Sequence, residues 1–169
     1  QVVAGPGGSI GAALCADARV RKISFTGSER VGHAIARAAG AKRLTCELGS
    51  NGAAVVLADA DVDVAAAAIA HSGYTNAGQN CGAVERVYVE ESLAARFVDR
   101  ILEEVDRIVI GDARAQDVDL GPLVSEKRRR EVHAHVGEAI ERGARLLRGG
   151  MVPDGPGFFY PPTVLLDPP

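Results

Sequence analysis

Apolar and polar positions recur along this chain with two periods, and the switches between them outline its elements. Near the start, "QVVAG" reads as the end of a strand, and "GPGGSIG" as a turn leading into the helix "SIGAALCAD". "KISFTGS" is a strand running into a turn. "SERVGHAIARAAG" sets Val31, Ile35 and Ala38 or Ala39 at helical spacing and ends on Gly40. "RLTCEL" is the next strand. Strand, helix, strand, helix, strand in so short a stretch predicts parallel βαβ units with right-handed crossovers. Further on, "AAVVLA" is a short strand, and Asp59 and Asp61 bracket the start of the helix "VDVAAAAIAHSGY", where acidic groups suit the N-terminal end of the helix dipole. "ERVYVEE" alternates as a strand. "SLAARFVDRILEEVDRI" puts Leu93, Phe97, Ile101 and Val105 on one helix face, with Ser92 as its expected cap. After the polar loop "GDARAQDVDLGPLVS", a single long helix is predicted through "SEKRRREVHAHVGEAIERGARLL", with Val132, Val136, Ala139 or Ile140, and Ala144 inward. Residues 149–157 are rich in Gly and Pro and read as loop, and "FFYPPTVLL" as extended chain. The predicted fold class is α/β, built from βαβ units with a mostly parallel sheet. Turn residues cluster at Gly49, Ser50, Asn51 and Gly52. This marks a boundary between a segment 1–48 and a segment 49–169, and would set Glu47 beside an interdomain crevice, a preferred place for a ligand.

Composition narrows the class. Of 169 residues, 47% are hydrophobic but only 4% aromatic, so Ala and Gly must do much of the packing. A net charge of −3 argues against a nucleic-acid partner. The basic run from Lys127 to Arg130 is expected to be a solvated helix face, given the glutamates around it. Cys15, Cys46 and Cys81 form no paired or metal-like spacing, which suits a reducing, cytoplasmic setting. The histidines at 33, 71, 133 and 135 are dispersed, so a zinc site is rejected. No apolar run approaches the roughly 20 residues of a membrane helix. The chain begins without Met inside a strand-like run and stops just after "PPTVLLDPP", which reads as the middle of something longer.

Candidate chemistry centres on "NAGQNCGAVERVYV". Cys81 lies in a polar, glycine-rich turn between an alanine-rich segment and a strand, whereas Cys15 and Cys46 fall where small buried hydrophobes belong. Cys81 is either a nucleophile or a third packing thiol; as a nucleophile it needs activation, since an ordinary thiol is only slightly ionised at neutral pH. Glu47 stands 34 positions earlier at the end of another strand. It is either a base, for the thiol or for a water, or a surface or salt-bridged carboxylate. Gly5, Gly7 and Gly11 follow a strand-like run and open a helix, which suits either phosphate binding or an ordinary tight turn. Ser28, after Gly27, reads either as a plain N-cap or as a cap that also faces a cofactor.

In this order, "GPGGSIG", "ISFTGSERVG", "CELGSNGAAVVLADADVDVA", "NAGQNCGAVERVYV", "GDARAQDVDLGPLVS" and "GFFYPPTVLLD" resemble the aldehyde dehydrogenase superfamily over nearly the whole chain. The resemblance covers the middle of a family member: 1–48 as the last part of the NAD(P)-binding Rossmann-like domain, 49–169 as the first part of the catalytic domain. It implies Cys81 as nucleophile and Glu47 as general base. It implies Gly7, Gly11, Gly27, Ser28, Leu48 and Gly49 as cofactor-binding, with NAD or NADP as cofactor and no metal. The implied reaction oxidises a small-molecule aldehyde to a carboxylic acid through a thiohemiacetal and a thioester. The parent is expected to be a homo-oligomer, with neither nucleic acid nor membrane as partner. Ser50 and Ala53 stand where many relatives have glycine and proline. The family's oxyanion-hole asparagine, two ribose-contacting residues and the oligomerisation strands have no counterpart, so the isolated chain is expected to be inactive. The alternatives are a non-catalytic remnant or binding module of the same fold, and a cofactor-independent thiol esterase using Cys81 and Glu47.

Overall fold

The computed structural model describes all residues, Gln1–Pro169. Contacts divide the chain into two compact units, Gln1–Ser50 and Asn51–Pro169.

The first unit runs α1 (Gly7–Ala16), β1 (Lys22–Thr26), α2 (Glu29–Ala39), β2 (Arg43–Glu47). β1 and β2 pair in parallel around α2, the βαβ arrangement that the alternating periods predict. α2 ends at Gly40, where φ is 59°. Two expectations shift. The "QVVAG" segment pairs with no strand, and Val2 and Val3 are 98% and 72% exposed; a strand needs a ladder, and none forms there. The first helix begins at Gly7 rather than Ser9, so Gly7 and Gly11 lie within it and not in the loop before it.

The second unit runs β3 (Gly52–Val56), α3 (Val62–Tyr74), a 3-10 turn (Thr75–Gly78), β4 (Val84–Val89), α4 (Glu91–Asp106), α5 (Glu126–Glu141), β5 (Arg145–Arg148), β6 (Val164–Leu166). β3 and β4 are parallel, while β5 and β6 are antiparallel. The α/β class stands, but the strands form three two-stranded sheets instead of one. The core is Val56, Val62, Ala66, Ala70, Phe97, Ile101 and Val105. Small residues on α3 let the large ones on α4 approach, as the aromatic-poor composition requires. Asp61 caps α3 through bonds from the N–H groups of Asp63 and Val64. Arg100 of α4 forms an ion pair with Asp63 of α3 at 2.7 Å.

Ser92 is not the cap of α4. The chain passes from β4 almost directly into the helix, so Glu90 takes that position, and its carboxylate accepts from the N–H of Ala58 at 2.8 Å. The predicted long final helix stops at Glu141. Gly143, at φ 110°, turns the chain, and Ala144 is buried beyond the helix, ahead of β5. In "FFYPPTVLL" only Val164–Leu166 pairs, Pro161 and Pro162 having no N–H to offer. The basic run lies on α5, where Lys127, Arg128, Arg129 and Arg130 pair with Glu126 and Glu131. Arg129 departs from the solvated face: it is mostly buried and donates to the carbonyl of Gly157.

Candidate active site

In the first unit, Gly27, Ser28, Glu47, Leu48 and Gly49 gather at the C-terminal ends of the parallel strands, the edge where open α/β sheets bind ligands. Register pairs Thr26 with Glu47, and the N–H of Gly27 donates to the Glu47 carbonyl at 3.1 Å. α2 comes close as well. A Cβ on Gly32 would lie 2.6 Å from Cδ2 of Leu48, so the bare backbone at Gly32 makes room for that side chain. The Glu47 carboxylate is exposed and forms none of the ion pairs within this chain.

Both helix N-termini in this unit are open. Ser28 occupies the N-cap position of α2, but its side chain makes no capping bond. Pro6 caps α1 without a side-chain acceptor, and no acidic residue lies in the first turn. Cβ atoms built on Gly7, Gly8 and Gly11 would meet nothing within 4 Å. Uncapped N–H groups at the positive end of a helix dipole suit the phosphates of a dinucleotide. The residues present therefore fit the phosphates of a dinucleotide.

In the second unit, Cys81 is exposed, Cys15 and Cys46 being buried and half-buried. The turn that carries it is unusual. Asn76, Ala77 and Gly78 all have positive φ, at 55°, 55° and 70°, and left-handed backbone is costly for Ala. Asn76 and Gln79 bond reciprocally: Nδ2 of Asn76 donates to the Gln79 carbonyl at 3.2 Å, and Nε2 of Gln79 donates to the Asn76 carbonyl at 3.1 Å. Oε1 of Gln79 accepts from the N–H of Val124 at 2.8 Å. On the other side of the thiol, Oδ1 of Asn80 accepts from the N–H of Gly82, and the Asn80 carbonyl accepts from Ala83, which is 1% exposed. Just upstream, the Tyr74 hydroxyl donates to the Thr163 carbonyl at 2.9 Å, and burial pushes its pKa up to about 12. Sequence reasoning missed Tyr74, Asn76 and Gln79 as parts of the site. The available signal was chemical: a glutamine amide in a tight turn can donate and accept at once.

The whole chain, residues 1–169, matches the profile described as "Aldehyde dehydrogenase family". The chain belongs to the aldehyde dehydrogenase family. Among aldehyde dehydrogenases it is 37% identical over 168 residues to a probable succinate-semialdehyde dehydrogenase [NADP(+)] of Sinorhizobium fredii, covering 98% of this chain and 34% of the relative. It is 38% identical over 171 residues to the lactaldehyde dehydrogenase of Escherichia coli, covering 99% of this chain and 36% of that protein. A crystal structure of an E. coli NADP-dependent enzyme superposes with a TM-score of 0.96 at 36% identity, over 99% of this chain and 35% of that one. The chain thus spans about a third of the length of these aldehyde dehydrogenases. No helix is long and apolar enough to cross a membrane.

Proposed function

We propose that this chain is the nucleophile-bearing part of an NAD(P)-dependent aldehyde dehydrogenase that oxidises an aldehyde to a carboxylic acid. The observation that carries this reading is the placement of the one exposed cysteine on the strained "NAGQNC" turn, in a chain that matches the family throughout. The two units correspond to the end of the cofactor domain and the start of the catalytic domain. Gly7 and Gly11 on α1 would form the cofactor loop of NAD or NADP, and Gly27 and Ser28, in the turn before α2, would lie beside the nicotinamide and pyrophosphate. Leu48 and Gly49 border the nicotinamide. When bound, the nicotinamide supplies the two-electron acceptor.

The thiolate of Cys81 adds to the carbonyl carbon, forming a C–S bond, and the backbone N–H of Cys81 donates to the oxyanion that results. The oxyanion collapses to a thioester on Cys81 as the aldehyde hydrogen departs with its bonding electron pair, which the nicotinamide would accept. Glu47 then takes a proton from water, which attacks the acyl carbon; the C–S bond breaks, the acid leaves and Cys81 is restored. An exposed carboxylate without an ion-pair partner supports that role, because it is available to accept a proton.

The test is NAD(P)H formation by an enzyme that carries this sequence together with the remaining length of its relatives. Reduction should require aldehyde. Cys81→Ala should abolish it. Glu47→Gln should preserve a first burst of NAD(P)H while steady turnover falls by roughly 10²–10⁴-fold, the usual contribution of a general base. Ester hydrolysis that needs no nucleotide, with no aldehyde oxidation, would refute the proposal.

A further inference from the structure

We propose that Gln79 is a positioning residue for the Cys81 nucleophile, and that it acts by tying the thiol-bearing turn to the segment around Val124. This rests on the assignment of Cys81 as nucleophile. Three consecutive residues of positive φ lead into Gln79. Such backbone persists only where surrounding contacts over-determine it, and the hydrogen bonds that do so converge on one residue, two of them through its side chain. Its Nε2 closes the turn on the Asn76 carbonyl at 3.1 Å, its own N–H reaches the same carbonyl at 3.1 Å, and its carbonyl accepts from Asn76 Nδ2. Its Oε1 spends its acceptor capacity outside the turn, on the N–H of Val124, 45 residues downstream.

That second anchor is itself tied down. The N–H of neighbouring Leu123 donates to the Phe158 carbonyl at 3.0 Å, and Leu123 packs with Val136 and Tyr160 in a buried cluster. The chain of contacts therefore runs from Cys81 through Gln79 to a small core built from α5 and the segment before β6. Gln79 is the member of that chain whose two amide atoms serve different partners. Removing the side chain takes away the hydrogen-bonded anchor and leaves only the packing of Ala77 on the same cluster. Replacing it with Glu keeps an acceptor for Val124 but loses the donor to Asn76.

Two measurements on the full chain test the proposal. Hydrogen exchange reads the anchor. In Gln79→Ala the Val124 amide should lose protection by about tenfold or more while α3 and α4 amides keep theirs, and in Gln79→Glu the Val124 amide should stay protected. Alkylation of Cys81 by iodoacetamide, resolved by mass spectrometry, reads the positioning. Native Cys81 should differ by about threefold or more from the same cysteine in the urea-unfolded chain, each relative to a small-thiol standard in the same solvent, and in Gln79→Ala this difference should vanish. Unchanged Val124 exchange in Gln79→Ala overturns the tie. Lost Val124 protection with Cys81 reactivity still native overturns the positioning role and leaves the nucleophile assignment standing. A wild-type thiol indistinguishable from the unfolded reference removes the assignment beneath the proposal, and the proposal with it.

Discussion

Replacing Tyr74 with Phe removes a single oxygen from the end of α3, and its effect on stability should change sign with pH. The hydroxyl joins residues 89 positions apart, donating to the Thr163 carbonyl at 2.9 Å. At neutral pH the variant loses that hydrogen bond, worth about 1 kcal/mol. Ionisation works the other way. Burial raises the Tyr74 pKa from 10.0 to about 12, so folding favours the protonated phenol. That contribution is complete below the unfolded pKa and is lost as pH rises through the folded one. At about 1.4 kcal/mol per pKa unit, wild type loses about 1.4 kcal/mol by about pH 11 and about 2.7 kcal/mol once titration is complete. Phe has nothing to ionise. Contributions from every other group are common to both proteins and cancel from the difference. The two stability curves should therefore cross near about pH 11, with wild type favoured below and the variant above. Urea unfolding followed by circular dichroism, at intervals from roughly pH 8 to 11.5, gives both curves. A constant difference between the proteins across that range would refute the reasoning, because it would mean that Tyr74 titrates alike in folded and unfolded chains.

Two further substitutions probe the scaffold of the second unit. A Cβ on Gly52 would lie 2.4 Å from the carbonyl oxygen of Ala83, a backbone atom that cannot rotate away; Gly52→Ala should cost about 1–3 kcal/mol, read as a lowered thermal midpoint, and an unchanged midpoint would contradict the close approach. Phe97→Ala should cost about 3–5 kcal/mol in urea unfolding, since Phe97 fills the space among Val62, Ala66, Ala70 and Ile101, and a loss below about 1 kcal/mol would show that the α3–α4 seam collapses to fill the gap.

What the sequence made legible was local and periodic. The helical spacing of Val31 and Ile35, the stop at Gly40 and the short β runs on either side identify the β1–α2–β2 unit, because each signal sits within a few residues of what it specifies. The same holds for Phe97, Ile101 and Val105, which are buried on the face that their spacing predicts. The misses share a different cause. "QVVAG" has the composition of a strand, yet a strand exists only through its partner. Ser92 has the chemistry of a cap, but the cap position is set by where β4 releases the chain, and that falls on Glu90. Arg145–Arg148 continues the helical rhythm of α5 and still pairs with β6, since Gly143 breaks the backbone first and β6 offers a ladder. Partners that lie far along the chain leave no trace in local periodicity.

The turn that bears Cys81 follows from the same distinction. Its polar, glycine-rich letters announce a turn, but they do not announce that Ala77 must adopt φ 55°, at roughly 1–2 kcal/mol for a left-handed L-residue. Three bonds between Asn76 and Gln79, two from side chains and one between backbone groups, close the turn and at about 1 kcal/mol net each offset that cost. Holding one geometry then depends on contacts from outside: Val124 through Gln79, and Thr163 through Tyr74 at the end of α3. Residues 120–125 and 158–166 carry no side chain with obvious chemistry, and a search for catalytic groups passes over them. They nonetheless supply the donor and the acceptor that fix both flanks of the thiol's turn. The structural unit around Cys81 is therefore larger than its sequence motif, extending to the segment before α5 and to the residue that precedes β6.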